Sequence, residues 1–171
     1  MGGKAKGLLR GPGGESIVER WAEIFRRLGI PHVLVGEHPA YASLGICTIP
    51  DNTRAPGPLG GLLALLEHAA EGHTLAVACD MAHVSEALVK RLVDAPPAQI
   101  VAARRGGVWE PLFARYNVDA VLPVAHTQAA NGRFSLQGVL NLCSACELPL
   151  DREQANELRD WDSPEDIDAA P

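Results

Sequence analysis

Apolar residues first recur with helical spacing. Ile17, Val18, Trp21, Ile24, Phe25 and Leu28 fall on one face of a helix, with charged residues between them. Ser16 and Glu19 stand at the spacing of a capping box, and Gly29 and Pro31 stop the helix. Residues 32–35 and 46–49 then predict short strands, with a Gly/Pro-bearing loop between them. The alternation repeats. A Gly-Pro segment over 56–61 opens an apolar helix carrying Leu62, Leu63, Leu65, Leu66 and Ala69. Residues 74–79 form a strand with almost no polar residues, the pattern of the centre of a parallel sheet covered on both faces. Residues 84–93 predict a helix that ends near Pro96 and Pro97. Residues 100–103 and 109–114 predict strands, the second weakened by Pro111. Beyond Asn117 the pattern is mostly helical, with breaks at Pro123 and Gly132, and residues 151–171 are acid-rich and partly loose at their end.

Strands alternating with helices and no internal repeat predict one α/β domain over residues 1–171 with a mostly parallel sheet. Composition agrees: of the 171 residues 47% are hydrophobic and 21% charged, enough apolar content to bury one core. The net charge of −6 argues against coating nucleic acid, which needs clustered Lys and Arg. No apolar run approaches the roughly 20 residues that span a bilayer, so no membrane partner is expected. The opening residues Met1, Gly2, Gly3, Lys4, Ala5 and Lys6 carry no apolar signal stretch, and the expected compartment is the cytoplasm. Cys47 and Cys79 sit in β-like apolar runs, where a buried thiol behaves as a small hydrophobe. Cys143 and Cys146 form the one close pair. Neither the other cysteines nor the six histidines supply the second pair a zinc site needs, so no metal role is assigned to it.

In an open parallel sheet, ligands bind beyond the carboxyl ends of the strands. The residues at such loops suit a phosphorylated ligand. Glycines at 2, 3 and 7 permit close approach to an anion and Lys6 neutralises charge, although the same composition also describes an ordinary tail. Gly57, Pro58, Leu59, Gly60 and Gly61 let a flat ligand lie at a helix N-terminus, or form a plain helix start. Asp80, ending an apolar strand, suits Mg²⁺, which takes one or two carboxylates plus substrate phosphates; a turn or cap is the alternative. Asp160 and Asp162 precede a well-formed helix start at Ser163 and Pro164, and could complete a metal site or stand as solvated acids.

In this order the segments resemble the molybdenum cofactor guanylyltransferase family of the nucleoside-triphosphate transferase superfamily. Residues 1–9 are similar to the closing half of the family's Gly-rich Arg-Met-Gly-x-x-Lys loop. Ile49-Pro50-Asp51 resembles its Ile-x-Asp strand end, residues 57–61 its Gly-Pro-Leu-x-Gly turn, and Cys79-Asp80-Met81-Ala82 its Cys-Asp-Met-Pro motif. Residues 110–114 resemble its Glu-Pro-Leu-Phe-Ala segment, and 160–166 its closing Thr-Pro-Glu-Asp region. The resemblance implies a Rossmann-like three-layer α/β/α nucleotidyltransferase fold. It also implies transfer of GMP from Mg·GTP to a molybdopterin-type cofactor, with release of pyrophosphate. Lys6 would contact the GTP phosphates and Asp80 would hold Mg²⁺, with Asp162 a weaker second metal contact. Asp51, Gly57, Pro58 and Leu59 would shape the nucleotide pocket. The partners implied are GTP, the pterin cofactor, and molybdoenzymes or other cofactor-biosynthesis proteins.

Several positions depart from that pattern. Ala82 replaces a proline, Gly36 stands where many members have a nucleotide-contacting asparagine, and Ala5 replaces an acid. The family's first strand and Leu-x-Gly-Gly segment, roughly 15 residues, have no counterpart ahead of Met1. The expectation is therefore weak GTP binding and neighbouring strands short of a ladder partner. The competing readings are a cytidylyl- or sugar-nucleotidyltransferase of the same fold and a non-catalytic cofactor-binding homologue.

Overall fold

The computed structural model describes residues 6–10 and 14–159. Its elements in chain order are α1 (Ile17–Arg27), β1 (Leu34–Val35), β2 (Thr48–Ile49), α2 (Pro58–Ala69), β3 (His73–Val77) and α3 (Glu86–Val93). They continue with β4 (Ile100–Arg105), β5 (Val108–Asn117), α4 (Val118–Ala130), α5 (Leu136–Leu142), β6 (Cys146–Leu148) and α6 (Arg152–Glu157). Short 3-10 turns occupy Lys6–Leu8 and Pro39–Leu44.

Four strands form one sheet in the order β3-β5-β4-β6, and β1 pairs with β2, parallel, in a separate two-stranded sheet. β5 is antiparallel to both β3 and β4, while β6 is parallel to β4, so three of the four strands run one way and β5 runs back. The side-chain alternation of the strands divides the core in two. Ala76, Ile100, Ala102, Ala114 and Tyr116 face a cluster built with α2, α4 and α5. Val101, Ala103 and Phe113 face a second cluster with α1, α3 and Leu158. This is the expected α/β/α sandwich.

Two expectations about strands are corrected. Residues 74–79 do not form the sheet's centre: β3 is an edge strand with an antiparallel partner, and only Ala76 of its five residues is fully buried. A continuous apolar run reports burial on two faces and says nothing of which strand lies alongside. Pro111 does not weaken its strand either. The β4–β5 register jumps there, from Ala102 opposite Ala114 to Ala103 opposite Glu110. The proline thus sits in a bulge, where its missing N–H breaks no ladder bond. The bulge also receives a buried side chain, since the Tyr116 hydroxyl donates to the Pro111 carbonyl at 2.6 Å.

The α1 capping box forms as the spacing requires: Glu19 N–H donates to Ser16 Oγ, and Ser16 N–H to Glu19 Oε2 at 2.9 Å. Pro123 does not break α4, which runs through it. Thr127 donates its hydroxyl to the Pro123 carbonyl at 2.9 Å, and the proline lies on the exposed side of the helix. Cys47 is exposed, contrary to the burial expected of a strand thiol, because it stands just ahead of β2 at a sheet edge. Cys143 is buried and Cys146 exposed, and both are free thiols. No described helix is long and apolar enough to cross a membrane.

Candidate functional site

Three strand ends converge on one cleft of about 870 Å³. β2 leads into Asp51 and β3 into Cys79 and Asp80; Asp51, Cys79 and Asp80 all line the cleft, together with Pro58 and Gly61 of α2. The side chain of Asp51 lies over bare backbone. A Cβ added at Gly36 would stand 3.5 Å from Asp51 Oδ2, and one at Gly61 would stand 3.3 Å from Asp51 Oδ1. Gly36, just past β1, has φ of 95°, a conformation open to glycine at little cost. Its amide donates to the Ile49 carbonyl at 2.8 Å, which ties the β1 turn to the strand that delivers Asp51.

The segment 57–61 divides its work. Gly57 caps α2 with φ of 67° and has open space around it. Pro58 occupies the first helical turn and faces the cleft. Leu59 is fully buried in the core beneath α2. Gly60 is required by packing, because a Cβ there would collide with the Ala55 carbonyl and come within 2.9 Å of the Asn52 carbonyl. Asn52 is held in turn, its amide donating to the Gly60 carbonyl at 3.2 Å and its side chain to Glu67 at 2.8 Å.

Asp80 is half-buried in a loop anchored from two other elements. Arg20 of α1 donates through Nε to the Ala82 carbonyl at 3.0 Å and through Nη2 to the Val84 carbonyl at 2.7 Å. Glu157 of α6 accepts the Ser85 amide at 2.7 Å at the start of α3. Lys6 belongs to the 3-10 turn Lys6–Leu8, whose next residue packs against this loop: a Cβ on Gly7 would collide with Val18 and lie 3.4 Å from the Cys79 Cβ and 3.0 Å from the Tyr41 hydroxyl. The Lys6 turn and the Asp80 loop are therefore neighbours. Burial raises the Tyr41 hydroxyl above its ordinary range, and the adjacent Cys79 thiol adds to this. Burial holds the His83 imidazole below its ordinary value, reinforced by the charges of Arg20 and Arg159. Asp162 lies outside the described residues. Arg20 and Tyr41 carried no local signal in the sequence, since each acts across a long chain separation on a loop it does not adjoin.

No described group of three or more His, Cys, Asp or Glu side chains stands ready to hold a metal alone. Mg²⁺ does not require one: it is commonly held by one or two carboxylates plus substrate phosphates, and Asp80 on the cleft wall fits that donor set. The cleft offers a ligand glycine backbone at Gly61, the first turn of α2 and two strand-end carboxylates.

An α/β sandwich with a cleft at its strand ends is an architecture that binds ligands at those ends. Two solved structures share the fold: molybdopterin-guanine dinucleotide biosynthesis protein A from Archaeoglobus fulgidus (TM-score 0.75, 19% identity, covering 97% of this chain and 88% of that one), and 2-C-methyl-D-erythritol 4-phosphate cytidylyltransferase from Thermus thermophilus (TM-score 0.66, 16% identity, 95% and 89%). A molybdenum cofactor guanylyltransferase of Pseudomonas putida is 31% identical over 172 residues, covering 96% of this chain and 87% of its own. A second from that species is 32% identical over 145 residues, covering 82% and 75%. The family model of the MobA-like NTP transferase domain matches residues 1–146, and the chain belongs to that family.

Proposed function

We propose that this nucleotidyltransferase moves GMP from GTP onto a molybdopterin-type cofactor in the cytoplasm, forming the guanine dinucleotide cofactor. A phosphate oxygen of the pterin attacks the α-phosphorus of GTP, and the bond to the bridging oxygen breaks, so that pyrophosphate leaves with that electron pair. The observation that carries this reading is the convergence of Asp51, Asp80 and the α2 N-terminus on one cleft, with the Lys6 turn packed against the Asp80 loop through Gly7 and Cys79. Catalysis of this kind is largely positioning and charge neutralisation. Asp80 would hold Mg²⁺, which when bound supplies positive charge beside the phosphates. Lys6 would contact the phosphates, Asp162 would add a second carboxylate, and Asp51 with Gly57 and Pro58 would shape the nucleotide side, whereas Leu59, expected there from the sequence, is buried in the core and holds α2 from beneath. Names of relatives at about 30% identity favour guanylyl over cytidylyl transfer.

Calorimetry with GTP and CTP, with and without Mg²⁺, tests the reading. GTP should bind more tightly than CTP, and Mg²⁺ should strengthen binding. Asp80→Asn should remove the Mg²⁺ enhancement and lower guanylyl transfer about 100-fold or more, with an unchanged melting temperature. Preference for CTP would assign the cytidylyl reaction instead. Indifference to Asp80→Asn would support a non-catalytic, cofactor-binding protein.

A further inference from the structure

Behind the cleft wall, three segments far apart in the chain meet at one hydroxyl. Tyr41 stands in the 3-10 turn Pro39–Leu44, between β1 and β2. Pro39, Ala40, Ala42 and Ser43 of that turn are exposed, whereas Tyr41 turns inward and is half-buried. Its own element fixes the ring. Tyr41 N–H donates to the His38 carbonyl at 2.9 Å, and His38 Nδ1 caps the turn by accepting the Ala40 amide at 3.2 Å. The two rings meet edge to face at 5.6 Å, a preferred aromatic geometry.

The Tyr41 hydroxyl is shared by the backbone amide of Gly7 and the thiol of Cys79, both of which hydrogen-bond to it. A phenol has one proton to donate and lone pairs with which to accept, so a single oxygen serves both partners. Gly7 permits the approach: a Cβ there would stand 3.0 Å from this oxygen and 3.4 Å from the Cys79 Cβ. The partners matter for their neighbours. Lys6 immediately precedes Gly7, and Asp80 immediately follows Cys79. Cys79 and Asp80 line the cleft and Tyr41 does not, so the hydroxyl works from behind the wall. It complements Arg20, which holds the Asp80 loop beyond the carboxylate at Ala82 and Val84. Tyr41 holds the loop ahead of the carboxylate, at Cys79, and adds the Lys6 turn.

We propose that Tyr41 is a positioning residue for nucleotide transfer, holding the Lys6 turn at a fixed offset from the Asp80 loop. One triphosphate then meets Lys6 and an Asp80-bound Mg²⁺ together. This role rests on the functions proposed above for Lys6 and Asp80. A phosphate held by lysine alone needs no such offset. A triphosphate bridging lysine and metal does, because a misplacement of about 1 Å spoils a geometry that both contacts must satisfy at once. Loss of the hydroxyl also strips the Gly7 amide of its acceptor, which frees the turn to shift.

The full chain and its Tyr41→Phe variant are titrated with GTP by calorimetry, with and without Mg²⁺, and amide hydrogen exchange is followed at Gly7. Phenylalanine keeps the ring against His38 and removes only the shared oxygen. Exchange at Gly7 should quicken about tenfold or more. GTP affinity in Mg²⁺ should fall about tenfold, while the metal-free affinity changes by less than about twofold. Cys79→Ala should produce a selective loss in the same direction, Cys79→Ser should retain most of the parent affinity, and Cys79→Ala added to Tyr41→Phe should cost nothing further. Equal losses with and without Mg²⁺ would make Tyr41 a general prop of the fold and overturn the proposal. Parent-like affinity under both conditions, or unchanged exchange at Gly7, overturns it as well. Asp80→Asn separates this role from the reaction itself. If Asp80→Asn removes the Mg²⁺ enhancement and Tyr41→Phe does not, the reaction stands and the role of Tyr41 falls. If Asp80→Asn leaves the enhancement intact, Asp80 is not the metal carboxylate and both fall together.

Discussion

Single residues carry this chain's chemistry through their surroundings. Asp80 and Asp51 are ordinary carboxylates by composition; what distinguishes them is a position at a strand end on the cleft wall, with Asp51 also lying over glycine backbone. His83 is the clearest titratable case. Burial first, then the charges of Arg20 and Arg159, make its protonated form unfavourable in the folded protein. The unfolded chain binds that proton near the ordinary value of about 6.5, and the folded chain does so only at lower pH. Its contribution to stability is thus fully present above the unfolded value and is lost as pH falls toward the folded one. Melting temperatures measured from about pH 7.5 to about pH 5 should fall more steeply for the parent than for His83→Gln. Equal slopes would show that other groups govern this range. Tyr116 tests the bulge at Pro111. Its hydroxyl is buried and donates to that carbonyl, so Tyr116→Phe should cost about 1–2 kcal/mol in denaturant unfolding.

At the scale of elements, local signals and long-range ties do separate work. The start of α1 was legible from Ser16 and Glu19, because a capping box is a local structure complete within four residues. α2 was legible from Pro58 and its leucines for the same reason. β6 and α6 were not. β6 has three residues and exists by pairing with β4, and α6 has six residues despite the Asp151–Gln154 capping box that starts it. The site divides similarly. Asp51, Asp80 and the 57–61 turn could be picked out as strand-end and helix-start residues, but Arg20 could not, since it reaches over 60 residues along the chain to the Ala82 and Val84 carbonyls. It is a positioning residue for the Asp80 loop. Arg20→Met should lower stability by about 2 kcal/mol and weaken Mg²⁺-dependent nucleotide binding about tenfold. Arg91 also ties chain segments by donating to the Pro149 carbonyl, but it lies away from the cleft. Arg91→Met should lower stability and leave nucleotide binding unchanged, so equal binding losses in the two variants would reduce Arg20 to a purely structural role.

Across the whole molecule, stability is uneven because the sheet is divided. β4 and β5 carry two core clusters on opposite faces and are ladder-paired on both sides. The β1–β2 pair has two residues in each strand, and an isolated two-stranded sheet is marginal by itself. Hydrogen exchange should therefore show Val101, Ala102 and Ala114 opening only with global unfolding, while Leu34 and Gly36 exchange by local opening at much lower free energy. Uniform protection across both sheets would contradict this. The net charge of −6 takes its place at this scale too: the field of the whole molecule disfavours the approach of an anionic ligand, so any anion site depends on its local donors.

Hydrophobic period, capping residues and turn residues by themselves determined the class of the fold and the position of its main helices and strands, since each depends on neighbours a few positions apart. The order of strands, the reversal of β5, the burial of Leu59 against the exposure of Pro58, and the meeting of the Lys6 turn with the Asp80 loop were decided only in the tertiary structure. Those features depend on which distant segment satisfies a backbone edge or covers an apolar face. Val77 has the same sequence neighbours whether its outer edge meets solvent, a ligand or another strand, and only the packed chain shows that it lines the cleft.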